Sequence, residues 1–132
     1  MSISSASAYP NWQPWVSPGA PNLRCGPTTT HTSSANIAMQ TCIIRNPAND
    51  SYQAVAIVVN NHTDPVFLKA DVILLEHSDL GTVNTCDKKT ISAGSRVACY
   101  GATMPYNRTV TAYSWVYLNA GLEDNTATAT YS

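Results

Sequence analysis

The chain has 132 residues, of which 44% are hydrophobic and only 11% are charged, and its formal net charge is −1. A chain of this length forms one domain with a single core. The charge balance excludes a nucleic-acid-binding face, because such binding needs concentrated positive charge. No apolar run is long enough to span a membrane as a helix. We therefore expect neither nucleic acid nor a membrane as a partner.

The N-terminal stretch is rich in proline and aromatic residues. Its notable residues are Tyr9, Pro10, Trp12, Pro14 and Trp15. Proline favours an extended path and removes backbone donors, so we predict an extended or disordered arm over 1–24, followed by one domain over 25–132. The arm either folds back over an edge of the domain or projects as a docking peptide whose aromatic side chains bind a partner. Its composition leaves both roles open.

Strand signals dominate the rest of the chain. The predicted strands are 35–45, 53–60, 66–77, 96–100 and 109–119. The strand 53–60 is apolar on both faces, as expected at the centre of a sheet. The segment 66–77 resembles a helix in part, but its β-branched residues and the preceding Pro65 favour a strand. We predict a polar loop over 79–89, followed by a short segment and turn over 90–94.

Short strands separated by frequent turns predict an all-β fold, an antiparallel β-sandwich. Its architecture is expected to be immunoglobulin-like without being a true immunoglobulin domain. In true immunoglobulin domains a Trp between the bridged cysteines packs against an inter-sheet disulfide. Here a bridge from Cys42 to Cys99 would have no Trp between its two cysteines.

The 4 cysteines include no CxxC pair, whereas zinc sites commonly place two ligands two to four residues apart. We therefore predict disulfides and no metal site. Of the three pairings, we prefer Cys25 with Cys42 and Cys86 with Cys99, because each intervening segment resembles a turn between adjacent strands. Closing each short loop by a disulfide raises the free energy of unfolding by about 3 kcal/mol in the chain-entropy model. Disulfides indicate an oxidising compartment, and no basic and apolar leader begins the sequence, so we expect a mature secreted chain.

Catalysis is not expected from this sequence. The 3 histidines, at positions 31, 62 and 77, lie outside any recognised nucleophile motif. The carboxylates are scattered, so they do not form a recognisable pair for glycoside hydrolysis. We predict that the protein is not an enzyme and that it uses no cofactor.

A row of aromatic residues lies near the C-terminus. Tyr113, Trp115 and Tyr117 alternate with small and aliphatic residues and share one face of a predicted strand. The interpretation we favour is that these rings fill the core while the aliphatic face lies under a loop. The alternative is a ladder of rings that binds a sugar or a peptide by stacking.

The segment 86–99 is flanked by two cysteines and carries Lys88, Lys89 and Arg96. An ordinary hairpin with solvated lysines is the favoured interpretation. The alternative is a protease-inhibitor loop, since a braced loop that presents a basic residue loses little entropy on binding to a trypsin-like pocket.

Four sequence stretches together carry a resemblance: CGP (25–27), QTC (40–42), QAVAIVVNN (53–61) and ISAGSRVAC at the end of 86–99. The pattern resembles small secreted two-disulfide β proteins of actinobacteria, over residues 25 to about 119. Among these, the chain is similar to the small adaptor subunit of umbrella-shaped toxin particles. In such particles the adaptor's N-terminal arm inserts into a cleft of a lectin-bearing subunit, and its body attaches to a large toxin subunit.

The resemblance implies a non-enzymatic adaptor whose partners are other secreted proteins. The arm would then supply the contact residues Tyr9, Pro10, Trp12, Pro14 and Trp15. A secreted protease inhibitor is the alternative function, and a carbohydrate-binding module is the third.

Overall fold

Two antiparallel β-sheets face each other in the computed structural model, which describes residues 11–19, 22–31, 34–48, 51–76, 83–105, 110–119, 122–125 and 129–131. The all-β antiparallel sandwich is therefore confirmed. The strands are β1 (Gln13–Pro14), β2 (Leu23–Cys25), β3 (Thr29–His31), β4 (Ser34–Asn46), β5 (Ser51–Asn60), β6 (Val66–Glu76), β7 (Val83–Ile91), β8 (Arg96–Pro105), β9 (Val110–Leu118), β10 (Leu122–Asn125) and β11 (Ala129–Tyr131). Within these ranges no helix is long and apolar enough to cross a membrane.

The two sheets differ in how their strands are ordered. Sheet A has the order β1-β8-β5-β4-β2, with β3 also paired to β4, and sheet B has the order β10-β9-β6-β7, with β11 also paired to β9. Strand β5 runs through the middle of sheet A and is buried along almost its whole length, which agrees with its two apolar faces. The segment 66–76 is a strand, as predicted, and forms the centre of sheet B together with β9.

Strand β7 contradicts the sequence prediction. The sequence predicts a polar loop over 79–89, whereas Val83–Ile91 forms an edge strand of sheet B. An edge strand tolerates a long polar run because one of its sides faces solvent, and its lysines oppose edge-to-edge association. The register against β6 shifts opposite Lys69, where β7 carries one extra residue in a β-bulge at Asp87 and Lys88.

The disulfide pairing is confirmed as Cys25–Cys42 and Cys86–Cys99. The expectation that each pair encloses a turn between adjacent extended segments is confirmed for Cys86–Cys99, where the turn over 92–95 joins β7 to β8, and is wrong for Cys25–Cys42. Cys25 and Cys42 are directly opposite on β2 and β4 of sheet A, with β3 between them in the chain. Cys86 lies in sheet B and Cys99 in sheet A, so their bridge joins the two sheets.

The core lies between the sheets, and β9 shows how it is built. Its side chains alternate between buried and half-buried along the strand, because successive side chains of a strand point to opposite faces. The inward set is Val110, Ala112, Ser114, Val116 and Leu118. The hydroxyl groups of Ser114 and Thr41 are 2.7 Å apart and pair across the core, which satisfies two buried polar groups at once.

The outward set on β9 is the aromatic row. The interpretation that Tyr113, Trp115 and Tyr117 fill the core is therefore wrong: the aliphatic face is the inner one, and the rings lie on the outer face of sheet B. Alternation along a strand assigns its residues to two faces. When both faces are apolar, it does not indicate which of them faces the core.

Candidate functional site

Trp12 fixes the arm to the sandwich. Strand β1 pairs with Val97 and Ala98 at the edge of sheet A. The Trp12 side chain is only 5% exposed and belongs to the main core. Its indole N–H donates to the carbonyl oxygens of Leu68 at 3.1 Å and Asp87 at 3.2 Å, both in sheet B. One residue of the arm thus connects the two sheets.

The local sequence explains why the arm stops pairing after two residues. Pro14 has no backbone N–H, so it is compatible with an edge position but cannot donate to a ladder. The backbone N–H of Trp15 makes a last, long contact of 3.4 Å with the carbonyl oxygen of Arg96. Asp87 lies in the bulge of β7, and its carbonyl oxygen accepts from Trp12.

Trp15 covers part of the outer face of sheet A. Its ring centroid lies 6.2 Å from that of Tyr100, with the planes tilted by 31°. It is half-buried against a second apolar cluster that includes Cys42, Val55 and Ile57. Together with Leu23, Ile44 and Tyr100, it covers Val55 and Ile57 on the outer face of β5.

The described residues of the arm are 11–19 and 22–24, and they fold back on the domain through Trp12, Trp15 and the pairing of β1 and β2 with sheet A. Tyr9 and Pro10 lie outside the described residues. Pro14 is exposed, Trp15 is half-buried, and Trp12 is buried. A partner-binding role for these residues stays a prediction, but Trp12 has no accessible ring surface for a partner in this arrangement.

Two open grooves flank the arm, each of about 330 Å³. The first lies on the outer face of sheet A, between Trp15, Gln40 and Asn61. The second lies between the arm and the turn after β7, and Lys89 is among its lining residues. Arg96 lines both grooves.

The proposed inhibitor segment 86–99 is not one loop. It consists of the end of β7, a turn over 92–95 with Gly94 at φ 78°, and the start of β8. Lys89 and Arg96 share the second groove, whereas the Nζ atom of Lys88 lies 5.7 Å from the ring centroid of Phe67. The structure therefore does not bring the three basic residues together, and inhibition of a protease stays a prediction.

The outer face of sheet B presents the aromatic row. The Tyr113 and Trp115 rings are stacked with centroids 6.3 Å apart and planes 27° apart. The Tyr117 hydroxyl donates to the Asp71 carboxylate at 2.8 Å, and the Nζ atom of Lys69 lies 5.2 Å from the Tyr117 ring centroid. This surface combines aromatic area with two charged groups of opposite sign.

One polar cluster was not predicted from the sequence. The Oγ atom of Ser34 lies 2.8 Å from Nε2 of His62, and the side-chain amide of Asn36 lies 3.4 Å from Nδ1 of the same ring. The backbone N–H of His62 also donates to Asn60 at 2.9 Å. These contacts hold the start of β4 against the turn after β5. Ser34 and His62 are far apart in the chain and share no motif, so no sequence signal identifies the pair.

No metal-binding group of three or more His, Cys, Asp or Glu side chains occurs in the described ranges. No known protein family matches the chain, and no curated protein matches it. The chain is a small all-β, two-sheet protein with two disulfides.

Proposed function

We propose that this protein is a secreted, non-enzymatic adaptor that links other secreted proteins in an extracellular, toxin-type assembly. Its two disulfides favour an oxidising, extracellular setting. The resemblance to the small adaptor subunits of umbrella toxin particles supplies the partner classes: a lectin-bearing subunit for the arm and a large toxin subunit for the sandwich.

The observation that carries this proposal is the anchoring of the arm at Trp12. The buried indole and the pairing of β1 with β8 hold residues 12–14 at one place on the sandwich. Residues 1–10 are joined to the chain just before this anchor. An anchor separate from the docking residues lets the arm bind a partner without opening the core, and it limits the entropy lost on binding.

The anchoring changes the roles of the arm residues. Trp12 acts as the internal anchor, and the docking contacts come from Tyr9 and Pro10. These two residues suit an interface because Tyr is enriched at binding hot spots and proline is rigid. Trp15 and Arg96 line the adjacent groove on sheet A and extend the contact surface.

The test compares the full chain with a variant in which residues 1–10 are replaced by a Gly/Ser stretch of equal length. Each is mixed with the secreted proteins of its source culture, and complexes are separated by size-exclusion chromatography and identified by mass spectrometry. We expect the full chain to form a stoichiometric complex with large secreted proteins and the variant to lose it. The melting temperature of the variant should stay unchanged, because Trp12 remains in place.

Two results contradict the proposal. If the full chain and the variant form the same complexes, the arm is not the docking element. If the full chain elutes alone at every concentration tested, the protein is not an adaptor for these partners.

A further inference from the structure

The outer face of sheet B has a feature that the adaptor role does not use. The three rings of the aromatic row stand on one strand at alternate positions, opposite the core-facing set of β9. At about 3.3 Å per residue, the row from Tyr113 to Tyr117 is about 13 Å long. All three side chains are half-buried, so part of each remains at the surface. The Tyr113 and Trp115 rings are neighbours, with centroids 6.3 Å apart and planes 27° apart, so their surfaces adjoin.

The polar groups beside the row are held in place by neighbouring strands. Asp71 on β6 lies opposite Trp115 in the register of the sheet and opposite Thr85 on β7. Its carboxylate accepts hydrogen bonds from the hydroxyl groups of Tyr117 and Thr85. Because a carboxylate has about four lone-pair positions, these two bonds orient it and leave acceptor capacity for a ligand.

The charges of this surface favour a neutral ligand. Lys69 and Asp71 are of opposite sign and lie on the same face of β6, at successive outward positions. Because these two charges offset each other, neither a polyanion such as a nucleotide nor a cation gains a net attraction from them. A ligand rich in hydroxyl groups can donate to the carboxylate and accept from the ammonium group without a net charge of its own.

We propose that the row Tyr113, Trp115 and Tyr117, with Asp71 and Lys69, is a binding platform for a neutral, extended, β-linked polysaccharide. A pyranose ring has an apolar C–H face that packs on an aromatic ring, and a rim of hydroxyl groups that reaches the flanking polar side chains. A row of rings along one extended strand suits an extended glycan chain better than a coiled one. The row lies on the outer face of sheet B, whereas the first groove lies on the outer face of sheet A and the second lies where the arm meets β7. The site shares no lining residue with either groove, so it is independent of the adaptor proposal.

The experiment measures retention of the full chain on microcrystalline cellulose and on chitin, followed by calorimetric titration with cellohexaose and chitohexaose. Amylose, which coils, serves as the geometrical control. We expect binding to at least one of the two β-linked polysaccharides and weaker binding to amylose. Trp115→Ala should raise the dissociation constant about tenfold or more, as the loss of an aromatic anchor typically does.

A matched control comes from the same sheet. Phe67 is 50% exposed on β6 and also has a lysine over its ring, but it lies outside the row. Phe67→Ala should leave the dissociation constant unchanged. If Trp115→Ala proves poorly folded by circular dichroism, Asp71→Asn keeps the shape of the side chain and should still weaken binding several-fold.

The proposal is overturned if the full chain binds neither β-linked polysaccharide. It is also overturned if Trp115→Ala, folded normally, binds as well as the unchanged protein, or if Phe67→Ala weakens binding equally. The variant with residues 1–10 replaced should keep its glycan affinity, which separates failure here from failure of the adaptor proposal.

Discussion

The two sides of the sandwich are closed in different ways. On the side of β7 and β8, the sheets are joined to each other by the Trp12 indole and by the Cys86–Cys99 bridge, whose two cysteines are fully buried. On the side of β2 and β4, the Cys25–Cys42 bridge stays within sheet A and Cys25 is exposed. There the contact with sheet B comes from β9, where Ser114 pairs with Thr41 of β4, and from β11, which lies beside β2 and β4.

The two disulfides therefore have different structural roles. A bridge between sheets holds the two halves of the core together, whereas a bridge within a sheet fixes a three-residue edge strand, β2, in its register. We therefore expect the β7 and β8 side to account for the larger share of stability.

The largest effect should come from Trp12. We expect Trp12→Ala to lower the free energy of unfolding by about 3–5 kcal/mol, as for other large buried aromatic residues, with equilibrium urea denaturation as the measurement. Trp12→Phe keeps most of the buried area but leaves the carbonyl oxygens of Leu68 and Asp87 without their donor, at a cost of about 1–3 kcal/mol. An unchanged unfolding midpoint for Trp12→Ala would show that the arm is not part of the core.

The next effect distinguishes the two disulfides. The chain-entropy model assigns each about 3 kcal/mol, because their loops are of similar length. We expect the replacement of Cys86 and Cys99 by alanine to lower the free energy of unfolding more than the replacement of Cys25 and Cys42. Only the first replacement also weakens the contact between the sheets. Thermal and urea denaturation of both variants provide the test. Equal losses would mean that loop closure alone sets the contribution of each bridge.

The smallest effect should come from Trp15, which lies three residues from Trp12 but outside the main core. Trp15→Ala should cost about 1–2 kcal/mol, a typical value for a partly buried contact, as measured by the unfolding midpoint. Val16 is 73% exposed in the same segment, so Val16→Ala is a control that should change nothing. If Trp15→Ala lowered the free energy of unfolding as much as Trp12→Ala, the outer face of sheet A would contribute as much to stability as the core.

Much of the fold was predictable from local pattern. The two apolar faces of 53–60 identified a central strand, and the β-branched content of 66–76 identified β6 despite its helix-like composition. The nearest-neighbour disulfide pairing was preferred because each intervening segment resembles a turn, and this pairing is the observed one. These features depend on neighbours close in sequence, where strand periodicity and loop closure act directly.

The remaining features depend on contacts that local pattern does not encode. β7 has a polar sequence because it is an edge strand, and edge position is a property of the whole sheet. The orientation of the aromatic row depends on which face of β9 meets sheet A. The burial of Trp12 requires acceptors on two other strands, and the Ser34–His62 contact joins the first residue of β4 to the turn after β5. The adaptor and glycan-binding roles are proposals because they too depend on contacts that local pattern does not encode.

The Trp12 contact also has a consequence for the order in which the chain is completed. Its two acceptors lie 56 and 75 residues further along the chain, so Trp12 leaves the ribosome well before the strands that bury it and is among the last residues to reach its final surroundings. Contacts of such long sequence separation form late, because the loop between them must close first. Burial of this indole therefore reports that β6 and β7 have already paired, and Trp12 acts as an intrinsic marker of a finished sandwich.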